Sequence, residues 1–346
     1  MGAPMQAASR AEAGLSVVVP VFNEAAGLPA LHERLSEVLG KLRETRNLKA
    51  EIVYVDDGSR DATPAVARGL PVKGADIQVI SLSRNFGKEA ALLAGLDHAR
   101  LGAILFMDGD GQHPPSLIET LVAHWLDDDY DVVFTAKAHR ENEPPLRRLG
   151  VKTFYALLNW GARQRIPEDA GDFRLLSPRA VAALRQLPER NRFFKGLASW
   201  IGFRQIRVDY EPAQRAHGQT SWSLSSLIGL SIEGLTSFSV APLRLASLLG
   251  LMLAVGAIFF GVWMVVETLV YERSVPGYPS LIVSLMVLGG VQLMMIGVVG
   301  EYIGKILSEL KQRPVYFIAE HDLRNADQTP ASQTSVSAEA ARTAAE

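Results

Sequence analysis

The chain has no cysteine among its 346 residues. Disulfides and thiolate metal sites are therefore excluded, and any metal must be held by oxygen or imidazole. It also lacks GxGxxG, GKS and GKT sequences, which removes the dinucleotide fingerprint and the P-loop as ways of gripping phosphate. Excess charge of one sign is missing too. Lys and Arg number 35 against 37 Asp and Glu, a net charge of −2, so nothing points to nucleic acid as the main partner. Residues 1–13 have no apolar signal-peptide core and contain Arg10 and Glu12. They read as a disordered start, and the domain that follows as cytosolic.

What is present in quantity is apolar sequence, concentrated near one end. Leu245–Val266 is 22 residues without a charge and Tyr278–Gly300 is 23. At 1.5 Å per residue each is about 33 Å long, enough for the ~30 Å hydrocarbon core of a bilayer. A pair of buried core helices is the alternative. Two such runs joined by eleven residues describe a membrane hairpin over 242–304. Arg244 precedes the first run and Lys305, Lys311 and Arg313 follow the second, while the connecting loop holds Glu267, Glu272 and Arg273. Positive charge on both outer flanks puts the preceding domain and the tail on the cytoplasmic side of a multi-pass inner-membrane protein. Residues 222–241 read as a juxtamembrane amphipathic helix, 305–324 as an interfacial segment and 325–346, rich in Ala, Ser and Thr, as a disordered tail.

Residues 14–221 alternate strand and helix patterns. Leu15–Phe22 is a continuous apolar run, as expected of a strand buried on both faces. Leu28, Leu31, Leu35, Val38, Leu39 and Leu42 recur at helical spacing. Further strands are predicted at Glu51–Val55, Ile77–Leu82, Ala103–Met107 and Val132–Thr135, with helices from about Ala62 and Lys88 and over Ser116–Trp125. Strands regularly separated by helices imply an α/β domain with a largely parallel sheet. Ligands of such sheets gather beyond the carboxyl ends of the strands. Polar clusters stand there four times: Asn23 and Glu24, then Asp56 to Ser59, then Arg84 and Asn85, then Asp108 and Asp110. Any one of them could be an ordinary turn. Two carboxylates one residue apart repel, and a hard divalent cation such as Mg²⁺ or Mn²⁺, completed by substrate phosphates, would relieve the repulsion.

The segments VVVPVFNE, YVDDGSRDAT, SRNFGKEAAL, MDGDGQHPP, GDFRLLSPRA and RAHGQTSWS occur in this order over residues 15–223. In that order, and with the hairpin behind them, the chain resembles the family 2 glycosyltransferases that act on polyprenyl phosphate. The resemblance implies a GT-A fold and a nucleotide-sugar donor, with UDP-glucose the first choice. It also implies Mg²⁺ or Mn²⁺, and inverting transfer to undecaprenyl phosphate at the bilayer surface, with a homo-oligomer left open. Carried over by position, Pro20, Asn23, Glu24 and Asp57 would line the nucleotide pocket. Asp108 and Asp110 would meet donor and metal, with Gln112 beside them. Asp172 would stand on the acceptor side as a base or a positioning group. Arg215 would stabilise the leaving diphosphate, and Ser221 and Trp222 belong to the same closing loop.

Two positions depart from the family pattern. His113 stands where Asp is common, either as a third metal ligand or as a spacer before Pro114. Ser221 stands where a Lys often precedes the aromatic residue, so Arg192, Lys195 or Arg204 would supply charge for the lipid phosphate. Around them, Arg190, Arg192, Phe193, Phe194, Lys195 and Trp200 form either a lipid-facing cationic surface or an ordinary packed helix. A lipid phosphate is largely dianionic near pH 7, since its second pKa is about 6, so a strong general base is not required. The other readings are a processive polysaccharide synthase, against which stands the lack of a QxxRW sequence, and a non-catalytic nucleotide-sugar-binding scaffold.

Overall fold

The computed structural model of the chain describes residues 12–137, 155–156, 159, 171–187, 189, 194–211, 241–271 and 277–326. The amino-terminal part alternates as the patterns predict: β1 (Leu15–Val21), α1 (Leu28–Arg46), β2 (Ala50–Asp56), α2 (Thr63–Gly69), β3 (Asp76–Leu82), α3 (Lys88–His98), β4 (Ala103–Phe106), α4 (Leu117–Leu126) and β5 (Val132–Lys137). Then follow β6 (Arg174–Leu176), α5 (Pro178–Arg185), α6 (Phe194–Trp200), β7 (Gln205–Tyr210), two long helices α7 (Ala241–Tyr271) and α8 (Tyr278–Leu310), and β8 (Ile318–Arg324).

The eight strands form one sheet in the order β7-β5-β6-β4-β1-β2-β3-β8. β1 pairs in parallel with β2 and β4, and β2 with β3. The alternation of side chains along β1 divides the core. Val17, Val19 and Val21 join the layer under α1 and α4, where Leu28, Leu31, Leu35 and Leu39 pack, while Val18 faces Ala91, Ala94 and the other residues of α3. With both faces covered, β1 is apolar apart from Ser16, whose hydroxyl donates to the buried Glu51, which is why it reads as an apolar run.

Two strands break the parallel pattern. β6 runs antiparallel between β4 and β5, with Arg174 opposite Phe106. The residues that lead into it therefore arrive at the carboxyl end of β4. β8 runs antiparallel to β3, with Ile318 opposite Leu82, so the chain re-enters the sheet at the same rim after its apolar helices. This corrects the expectation of an interfacial segment over 305–324. α8 continues to Leu310, and the charged residues beyond it are accommodated because β8 is an edge strand whose outer face meets water. Arg68 forms ion pairs with Glu320 and Asp322, and Arg324 donates to the carbonyls of Leu70 and Ala67.

Within α7 and α8, Leu243–Met264 and Ser284–Leu310 are long and apolar enough to cross a membrane, and no residue of their most apolar stretches is buried. A soluble core helix would be covered by the rest of its own chain, and these stretches are not. The segment 222–241 lies almost wholly outside the described residues.

Candidate active site

Two close approaches hold the rim loops together. Gly109, between the paired carboxylates, lies so near the end of β1 that a Cβ would stand 2.9 Å from Val21 Cγ1 and 3.0 Å from the Pro20 carbonyl oxygen. Gly58 has φ of +68°, and a Cβ there would meet the Arg84 backbone at 2.4 Å. Neither position has room for a side chain, so the loop after β4 lies against the end of β1 and the loop after β2 against the backbone of the loop after β3.

Asn23 adopts φ of 55° and ties the first loop to the second. Its N–H donates to Ser59 Oγ at 2.9 Å, and its side-chain oxygen accepts from the Arg60 N–H at 2.9 Å. The Glu24 N–H donates to Thr63 Oγ1. Asp57 is buried, and its two oxygens accept from the N–H groups of Phe86 and Gly87 at 2.8 and 3.0 Å. Burial pushes its carboxyl above the ordinary range, opposed by those two N–H groups. Asp57 thus braces the loop after β3.

Asp108 and Asp172 meet at a residue the motif reading passed over. The Lys88 ammonium, on the first turn of α3, lies 2.5 Å from Asp108 Oδ1 and 2.6 Å from Asp172 Oδ2. Partial loss of water around the ammonium works against the charge on Lys88, but Asp172 and Asp108 override it and hold the group well above the usual lysine range. Burial likewise opposes the charge on Asp108, and Lys88, helped by His113, keeps its carboxyl below the usual range. Asp172 reaches this place because β6 is antiparallel. Gly171, whose N–H donates to the Thr135 carbonyl at 2.7 Å, leads the chain in along β5. The buried Arg174 guanidinium donates to the Gly171 carbonyl at 2.7 Å from below. Lys88 was visible in SRNFGKEAAL as a cation opening a helix; its partners were not, because they are 20 and 84 residues away.

Asp110 turns back on its own loop, accepting from the Gln112 N–H at 3.1 Å. His113 is buried, with its ring against Phe173 at 4.9 Å between centroids. Its Nε2 lies 3.4 Å from Asp108 Oδ2, and its Nδ1 shares a 3.0 Å hydrogen bond with the Tyr210 hydroxyl. The spacer alternative is thereby overturned, because the imidazole links Asp108 to the end of β7. Burial, with Asp108, Asp110 and Asp172 nearby, pushes the Tyr210 hydroxyl up to about 12. Tyr210 is the second residue missed by sequence reasoning, and no local signal marks it.

Among the described residues no three His, Asp or Glu side chains are gathered to hold a metal ion. Two neighbouring carboxylates without a third ligand still fit a hard cation that takes the rest of its shell from phosphates and water.

Arg204 requires a correction. It lies just before β7, at the opposite end of that strand from Tyr210, where it donates to the Asp128 carbonyl and covers the Tyr130 ring at 4.3 Å. It is remote from the rim because β7 runs parallel to β5. Phe194 is also core, packed edge-on against Phe106 at 5.4 Å, while Trp200 is 59% exposed. Arg192, Arg215, Ser221 and Trp222 lie outside the described residues, as does the side chain of Lys195.

Residues 16–184 match the family described as Glycosyl transferase family 2, and residues 241–306 match the GtrB C-terminal hairpin. The chain is 41% identical over 304 residues to the prophage bactoprenol glucosyl transferase homolog of Escherichia coli K12, covering 88% of this chain and 98% of that protein. It is 42% identical over 304 residues to the bactoprenol glucosyl transferase of Shigella phage SfII, covering 88% and 97%. An uncharacterized glycosyltransferase of Synechocystis sp. PCC 6803 is 39% identical over 306 residues, covering 88% and 95%.

Proposed function

Because the chain belongs to glycosyl transferase family 2, we propose that it moves glucose from UDP-glucose to a polyprenyl phosphate at the cytoplasmic face of the membrane. One observation carries this reading. Both connections to the apolar helices leave from the rim that bears the carboxylates. β7 ends there at Tyr210 and β8 begins there at Ile318. Only seven residues, Lys311–Phe317, separate the end of α8 from β8, and they reach at most about 25 Å. A lipid phosphate at the bilayer surface is therefore within the span of the rim, and anchoring raises its effective concentration there. The pairing of β8 with β3 also returns the chain to its starting side, in keeping with two crossings and the charge on both flanks.

In this reading Asp108 and Asp110 would hold Mg²⁺ or Mn²⁺, which when bound supplies Lewis-acid stabilisation of the departing diphosphate. Asn23, Asp57 and the loop after β3 shape the nucleotide side. Asp172 faces the acceptor and orients it; an already dianionic phosphate needs no strong base. Lys88 spans both halves. Arg215, on the motif reading, would close over the phosphates.

The test is a donor panel with the full-length protein in detergent: UDP-glucose, UDP-galactose, UDP-N-acetylglucosamine and GDP-mannose against undecaprenyl phosphate with Mg²⁺ or Mn²⁺. UDP-glucose is expected to give a glucosyl-phosphoryl lipid, identified by mass. Preference for another donor would overturn the sugar assignment. Donor binding without any turnover would favour a non-catalytic scaffold.

A further inference from the structure

Lys88 occupies the position where a cation would be useful. Its ammonium bridges a carboxylate of the donor loop and one of the acceptor side, at 2.5 and 2.6 Å. Its side chain is 41% exposed, so solvent and ligands can reach it. We propose that Lys88 is the resident cation of the nucleotide-free site, and that it makes capture of a divalent ion conditional on the arrival of the donor diphosphate. This rests on the reading of Asp108 and Asp110 as the cation-binding pair.

A divalent ion approaching Asp108 alone must displace the ammonium or stand beside it, and like charges that close repel. Among the described residues no three His, Asp or Glu side chains are gathered to hold a metal ion, His113 is engaged by Tyr210 and Asp172 by Lys88, and the protein offers little to offset that repulsion. A diphosphate brings negative charge of its own, completes the ion's shell and lets Lys88 keep Asp172 as its partner. Nucleotide and ion then bind with positive coupling, and by reciprocity each tightens the other. Lys88 also keeps Asp108 and Asp172 from repelling one another between turnovers.

The experiment measures Mn²⁺ binding by electron paramagnetic resonance to the full-length protein in detergent, with and without UDP. Without UDP, Lys88→Met and Lys88→Gln are expected to bind Mn²⁺ at least about tenfold more tightly than wild type, and Lys88→Arg to stay near wild type. Lys73→Gln, which removes an exposed positive charge from the loop before β3 at the opposite end of the sheet, is expected to change affinity less than about threefold. With UDP present the gap should narrow, because wild type gains more from the nucleotide than the Met and Gln variants do. Unchanged Mn²⁺ affinity in both neutral variants overturns the proposal, as does an equal gain in Lys73→Gln, which would mark a general charge effect. Failure of wild type to bind Mn²⁺ even with UDP overturns the cation-pair reading itself, and is distinguished by the missing signal in the UDP-loaded sample. Melting curves verify folding, and the Gln and Arg variants decide the matter if the Met variant unfolds.

Discussion

Asp108 and Asp110 are one residue apart but have different surroundings. Asp108 faces Lys88 and His113, whereas Asp110 accepts from the Gln112 backbone. Asp110→Asn keeps the shape and the turn while removing a charge. It is expected to lower metal-dependent turnover by about 100-fold or more with little change in the melting temperature. Unchanged turnover would exclude Asp110 as a metal ligand. Gly109→Ala should behave differently. Its added carbon meets a backbone oxygen and a valine of β1, so a loss of about 1–3 kcal/mol in stability is expected from chemical denaturation, together with lost activity. Acid residues elsewhere show why composition alone misleads. Glu51 is wholly buried, yet it lies near the start of β2, far from the rim, and is satisfied by Ser16, Gln78 and Arg100. It is structural, and only its place along the strand distinguishes it from the site acids.

At the scale of elements, β8 ties the chain beyond α8 to the loop after β3. The Phe317 carbonyl accepts from the Ser83 N–H at 2.9 Å, and its ring lies 6.3 Å from that of Phe86, whose own N–H holds Asp57. His321 sits mid-strand, hydrogen-bonded to Gln78 and edge-on to His98. Burial, then His98 and Arg100, lower its pKa against the opposing pull of Asp322. A histidine whose folded pKa is depressed below the unfolded value of 6.5 binds fewer protons folded than unfolded. Its contribution is therefore complete above that value and is lost as pH falls from about 6.5 through the lower folded pKa. Protection of the β3–β8 amides from hydrogen exchange should weaken over that window in wild type. It should weaken less in His321→Gln, and equal profiles would exclude His321 as the cause.

At the scale of the whole molecule, the two apolar helices are inserted between two strands of the catalytic sheet. A chain cut before residue 241 loses β8 as well as the helices and bares the β3 edge, an open template for pairing with other chains. Such a chain is expected to melt lower and to self-associate more than one in which residues 316–326 are rejoined through a flexible linker, as judged by thermal melts and size-exclusion chromatography. Equal behaviour would mean that β8 adds nothing to the sheet. The sequence by itself determined the alternating elements, both apolar helices and the strand-end carboxylates, because side-chain period, run length and turn chemistry are local. It also carried the motifs by which the family is known. Only the tertiary structure decided that β6 enters antiparallel and brings Asp172 to Lys88 and Asp108. It alone set Tyr210 behind His113, sent Arg204 to the far end and returned the chain as β8. Each of these depends on strand order and direction, fixed by pairing between residues distant in the chain.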